Sequence, residues 1–117
     1  MSASDDRTTL AELRTLLQDF NAARDWGQFH TPKDVAMSVS VEANELLELF
    51  LWKTSDAAVD PQRLREELAD VFITALNFAN TAGIDITEAV RDKVALNDAR
   101  YPVALSKGKA LKYSELK

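Results

Sequence analysis

Near the start of the chain, Leu10, Leu13, Leu16, Leu17 and Phe20 recur at helical spacing, so residues 7–24 are predicted to form a first amphipathic helix. A polar and aromatic connection, DWGQFHT, follows from Asp25 to Thr31. Thr31-Pro32 then marks a helix start: threonine caps exposed N–H groups, and proline suits a first position whose own donor would be unpaired anyway. The second helix is expected from Pro32 to about Lys53. After the short polar segment TSDAAVD, Asp60-Pro61 repeats the signal, and the third helix should run from Pro61 to about Ala82. Gly83 is placed to end it in the left-handed conformation. Asp85 and Glu88 form a capping-box pattern that opens a fourth helix at Ile86, and Tyr101-Pro102 closes it. Residues 1–6 and 103–117 are expected to be flexible or extended. No alternation long enough for a sheet occurs, so the fold is predicted as all-α, a four-helix bundle in a single domain.

Two of these helices carry polar residues where apolar ones would suit a simple bundle. On the third, the core positions read as Leu64, Leu68, Val71, Phe72, Ala75, Phe78 and Ala79. Glu67, Asp70, Thr74 and Asn77 interrupt them as one continuous stripe. The second helix has its own stripe of Ser38, Glu42, Glu45 and Trp52, with Glu48 beside it; seven residues make nearly two turns, so Trp52 lies almost above Glu45. Solvated E-x-x-E faces are common because glutamate is a good helix former. Here both stripes sit on helices that are otherwise largely apolar, and a short connection favours antiparallel packing. Facing stripes would gather Glu42, Glu45, Glu67 and Asp70. Carboxylates that close require raised pKa values or a cation between them.

Composition narrows the chemistry. The 117 residues hold no cysteine and one histidine, so a metal site would be all oxygen, which favours Mg2+, with Mn2+ as a substitute, over zinc. The net charge of −5 argues against a nucleic-acid polymer as partner. No apolar run is long enough for a membrane span and the polar N-terminus lacks a signal-peptide pattern, so a cytoplasmic protein is expected. On the fourth helix, Lys93, Asn97 and Arg100 form a stripe of two cations and an amide. On its own this is a solvated helix end; beside an acid–metal cluster it reads as a phosphate contact. Trp26, Phe29 and His30 either plug the end of the bundle or, with Trp52, make a stacking pocket for a nucleobase.

The combined pattern of E-x-x-E (Glu42, Glu45), E-x-x-D (Glu67, Asp70) and K-x-x-x-N-x-x-R-Y-P (Lys93, Asn97, Arg100, Tyr101, Pro102) resembles the MazG-type all-α nucleotide pyrophosphohydrolases. RDWGQFH, ELLELFLWK, EELADV and the closing KYSEL resemble the dCTP pyrophosphatase branch, so the similarity spans nearly everything from Leu10 onward. The resemblance implies Mg2+-dependent hydrolysis of a nucleoside triphosphate to the monophosphate and pyrophosphate, in a helical oligomer commonly built as a tetramer; the residues alone point to a homo-oligomer, dimer or tetramer. It implies that Glu42, Glu45, Glu67 and Asp70 hold the metal. It further implies that Trp26, Gly27, Gln28, Phe29, His30 and Trp52 surround the nucleoside, and that Lys93, Asn97, Arg100 and Tyr101 lie at the substrate. Close relatives carry histidine where Gln18 stands and tyrosine where Thr74 stands, both near the substrate, so the preferred base is less fixed than the chemistry. Glu45 or Glu48 is expected to orient or deprotonate the attacking water. The alternatives are a phosphoribosyl-ATP pyrophosphohydrolase-like enzyme and a non-catalytic helical binding or assembly module.

Overall fold

A computed structural model describes residues 2–117, and every regular element among them is helical. The chain divides into two compact units, residues 1–84 and residues 85–117. The first holds α1 (Leu10–Ala23), α2 (Pro32–Glu48) and α3 (Pro61–Ala82), with short 3-10 turns at Trp26–Phe29 and Asp56–Ala58. The second holds α4 (Ile86–Arg100), the short α5 (Val103–Ser106) and a 3-10 turn at Tyr113–Glu115.

Local chemistry sets most helix ends. Thr9, Thr31, Asp60 and Asp85 each place a side-chain oxygen on a backbone N–H of the first turn, from Glu12, Asp34, Gln62 and Glu88 respectively. Pro32 and Pro61 stand where no backbone donor is needed. Gly83 closes α3 at φ 67°, a conformation that a Cβ would strain.

The end of α2 differs from the expectation. The helix stops at Glu48, and the N–H groups of Leu49, Phe50, Leu51 and Lys53 reach back only three residues. This tighter winding takes the chain out of the α-helical register, and Trp52 adopts φ 65° with 98% of its surface exposed. Trp52 therefore does not continue the acidic stripe above Glu45. An aromatic in the left-handed region costs roughly 1–2 kcal/mol.

In the first unit α3 is the central element. Arg14 of α1 clamps its C-terminal end: Nε donates to Asn80 Oδ1 at 2.7 Å, Nη1 donates to the Ile84 carbonyl at 2.6 Å, and Asn80 Nδ2 returns a bond to the Arg14 carbonyl at 3.3 Å. Later residues of α2 meet earlier residues of α3, so the two helices run antiparallel. The core is small. Among the described residues only Leu17, Val35, Leu49, Val59, Leu76 and Ala79 are buried. Leu64, Leu68 and Phe72, expected in the core, lie exposed, Phe72 at 58%. They form a stripe at spacings of four on α3, while the polar stripe turns inward against its neighbours.

In the second unit, the residues after Pro102 fold back on the end of α4. Tyr113 meets Tyr101 edge to face, with ring centroids 6.1 Å apart, and the Arg100 guanidinium lies 4.9 Å from the Tyr113 ring centre. Residues 103–117 also include the short turns of helix at Val103–Ser106 and Tyr113–Glu115.

Candidate active site

The inward stripe of α3 meets α2 at three carboxylates. Oxygens of Glu42, Glu67 and Asp70 all lie within 4.8 Å of one another, a set that could hold a divalent metal ion. Glu42 Oε2 and Glu67 Oε2 are buried and have no hydrogen-bond partner among the described residues. A buried, unpaired carboxylate oxygen is costly, so two side by side call for a cation or a proton. Without a metal the answer is a proton. Burial, reinforced by a hydrogen bond with Glu45 and by the charges of Glu45, Asp70 and Glu67, pushes the Glu42 pKa up to about 7. Burial and the charges of Glu45 and Asp70 also raise the Glu67 carboxyl, with the Arg63 guanidinium pulling the other way.

Glu45, half-buried, touches both raised acids and borders a cavity of about 640 Å³ shared with Glu48, Lys53, Asp60, Arg63 and Glu67. Glu48 is exposed, and its Oε1 accepts from Asn44 Nδ2 at 3.2 Å. Lys53 and Arg63 were not anticipated at the site. Arg63 carried a usable signal, because it precedes Glu67 by one helical turn. Lys53 carried none, since its place follows from the tightened end of α2.

Two further clefts lie toward the other end of α3. One, about 530 Å³, is lined mostly by polar residue types, including Gln18, Asn21, His30, Asn77 and Asn80, together with Gly27. The other, about 370 Å³, is apolar and includes Leu16, Phe20, Trp26 and Ile73, and it shares Asn21, His30 and Asn77 with the first. The 3-10 turn that carries Trp26 is fastened by Gln28, whose Nε2 donates to the Asp25 carbonyl and to its Oδ2 at 3.1 and 3.0 Å. Phe20 and Trp26 pack edge to face with centroids 5.7 Å apart, and Arg24 lies 3.7 Å from the Phe20 ring centre.

Three other expected contacts of the first unit, Phe29, Trp52 and Thr74, do not line these clefts. Phe29 and Trp52 are exposed. The Thr74 hydroxyl is occupied by its own helix, donating to the carbonyls of Asp70 and Val71. In the second unit Lys93 and Arg100 are exposed and Asn97 is half-buried on α4. Tyr101 and Arg100 are engaged with Tyr113.

The model of the MazG-like family matches residues 37–116, which include all four acids and the α4 motif. The chain belongs to the MazG-like family. Among MazG-like relatives, dCTP pyrophosphatase 1 of Rattus norvegicus is 43% identical over 116 residues, covering 92% of this chain and 68% of the relative. The Homo sapiens dCTP pyrophosphatase 1 is 40% identical over the same shares. A crystal structure of a pyrophosphatase from Archaeoglobus fulgidus superposes with a TM-score of 0.75 at 34% identity, covering 86% of this chain and 99% of that one. Among the described residues of this MazG-like chain, no helix is long and apolar enough to cross a membrane.

Proposed function

We propose that this MazG-like chain is a nucleoside triphosphate pyrophosphohydrolase of the cytoplasmic nucleotide pool that prefers dCTP or a modified dCTP, with Mg2+ as its metal. The observation that carries the metal chemistry is the pair of buried, unpartnered oxygens on Glu42 and Glu67 converging with Asp70. An all-oxygen, carboxylate-rich set suits a hard cation, with Mn2+ as a substitute. Bound there, the ion would neutralise the triphosphate's charge and make the α-phosphorus more electrophilic.

The chain's own groups account for the rest. Water attacks the α-phosphorus, the bond to the bridging oxygen of the β-phosphate breaks, and pyrophosphate leaves. In this reading Glu45 orients that water and takes its proton, which its position beside both the acid cluster and the open cavity supports. Glu48 is exposed and held by Asn44, which suits it to a supporting role. Lys53 and Arg63 supply positive charge for the terminal phosphates in that cavity. Lys93, Asn97, Arg100 and Tyr101 remain substrate contacts in this reading on the strength of the shared motif. The nucleoside lies in the clefts of Gln18, Trp26, Gly27 and His30, and the names of the rat and human relatives support a cytosine base.

The active species is a homo-oligomer, a dimer or a tetramer. The exposed Leu64–Leu68–Phe72 stripe supports this, since a second copy would remove that apolar surface from water.

A panel of canonical and modified deoxynucleoside triphosphates with Mg2+ tests the proposal. The expected products are monophosphate and pyrophosphate, with dCTP-like substrates fastest; release of orthophosphate overturns it.

A further inference from the structure

The turn that follows α2 is strained, and nothing that its strained residue touches offsets the strain. Lys53 N–H donates to the Phe50 carbonyl at 3.2 Å and closes a four-residue turn. Trp52 is the third residue of that turn, at φ 65°, where glycine or asparagine is the usual occupant. A bulky L side chain enters this region only at a cost. With 98% of its surface exposed, Trp52 packs on almost nothing in the chain. Strain of this kind persists where its surroundings enforce it, and it gathers at functional sites. Here Leu49 before the turn and Val59 after it are buried, and both line the cavity beside the acids.

What the turn alters is the position of Lys53. In an uninterrupted helix Lys53 would stand eight residues beyond Glu45, about 12 Å along the axis and about 80° around it. Instead it lines the same cavity as Glu45 and Glu67. Four carboxylates, from Glu45, Glu48, Asp60 and Glu67, border that cavity with two cations, Lys53 and Arg63. The Arg63 charge already acts on Glu67. The Lys53 ammonium has no hydrogen bond or ion pair among the described residues, so its three donors are free.

We propose that the left-handed turn at Trp52 is a positioning device that delivers the Lys53 ammonium to the acid-lined cavity, so that the site selects a nucleoside triphosphate over a monophosphate. This rests on the pyrophosphohydrolase reading, which puts the terminal phosphates in that cavity. A monophosphate has no group there for Lys53 to bind. A triphosphate has two, and without Lys53 they would face four carboxylates and a single guanidinium.

Trp52→Asn and Trp52→Pro separate the backbone from the ring, because both remove the ring and with it any contact the ring makes to a ligand. Asparagine accepts the left-handed conformation, whereas proline fixes φ near about −65° and forbids it. Proline removes no hydrogen bond, since the Trp52 N–H has no acceptor among the described residues. The readout is calorimetric affinity, with Mg2+, for dCMP and for the α,β-methylene analogue of dCTP, which is not cleaved. With helical circular dichroism unchanged, Trp52→Asn should keep the triphosphate-to-monophosphate affinity ratio. Trp52→Pro should lower it at least about tenfold, and its kcat/KM for dCTP should fall through KM. Lys53→Gln should lower the ratio by a similar factor, and adding it to Trp52→Pro should lower it little further. Should proline unfold the chain, Trp52→Val takes its place, because a β-branched residue is disfavoured at positive φ, and its ratio must fall below that of Trp52→Asn. Equal ratios in the two Trp52 variants, or an unchanged ratio in Lys53→Gln, overturn the role of the turn and leave the hydrolase reading standing. A natural protein that neither cleaves any triphosphate nor binds the analogue overturns both.

Discussion

The two halves of α3 present the same face to their neighbours and solve the problem of buried polarity in opposite ways. Toward the C-terminus the polar groups are amides, and they are paired: Asn77 with Asn21, and Asn80 with Arg14. Toward the N-terminus they are carboxylates, and Glu67 Oε2, like Glu42 Oε2 on the facing α2, is buried with no hydrogen-bond partner among the described residues. Neutral groups can complete one another within the chain, whereas like charges cannot, so the acidic half stays unsatisfied until a cation or a proton arrives. The half that is incomplete is the half suited to chemistry. The half that is largely complete is suited to recognition, because its amides line clefts beside the Phe20 and Trp26 rings.

Removing a ligand from the incomplete half should give the largest effect. Asp70→Ala is expected to reduce pyrophosphate release on the order of a thousandfold while leaving the helical circular dichroism unchanged, the loss of several kcal/mol of charge stabilisation. Full turnover in this variant would defeat the metal-site assignment, and full turnover in Glu45→Ala would remove that residue as the water base. Next comes the cavity beside the acids: Lys53→Gln combined with Arg63→Gln should raise KM for the triphosphate about ten- to a hundredfold, as expected for lost charge-assisted hydrogen bonds. Steady-state kinetics would show it, and an unchanged KM removes both cations from phosphate binding.

The contrast between the halves also has a pH signature. The Glu42 carboxyl titrates near 7 in the metal-free fold and at its ordinary value when unfolded, so between pH 4.5 and about 7 the native state holds more protons than the unfolded one. Stability of the metal-free protein should then fall as pH rises through that window and level off above it. Excess Mg2+ should abolish the fall, since the ion binds the deprotonated carboxylates and adds more stability at higher pH. Thermal melts at several pH values with and without the ion would show this, and parallel curves would disprove it. The smallest effect is expected away from both halves. Trp52→Gly removes an exposed ring and relieves a left-handed conformation, so the isolated chain should be unchanged or more stable by about 1 kcal/mol in denaturant titrations.

What could be read from the sequence divides along similar lines. Helix starts at Thr31, Asp60 and Asp85 are local events, decided by a capping side chain and its next three residues, and the spacing of residues shows them directly. The end of α2 was not visible, because Leu49, Phe50 and Leu51 extend the apolar pattern past the point where the backbone tightens. Leu64, Leu68 and Phe72 read as core because periodicity finds an apolar stripe without saying what covers it. The acids could be brought together on paper, since E-x-x-E and E-x-x-D on two antiparallel helices leave few arrangements. The Asn21–Asn77 bond spans 56 positions between helices that are not consecutive, and nothing in either segment announces the other.

The exposed stripe on α3 has a consequence for the protein as a population of molecules. If a second copy supplies the cover, the free energy of folding includes the free energy of association, and the folded fraction depends on how much protein is present. Dilution then acts as a mild denaturant, and expression level becomes a control on specific activity. A cell making little of this protein would lose its function faster than in proportion to the number of copies.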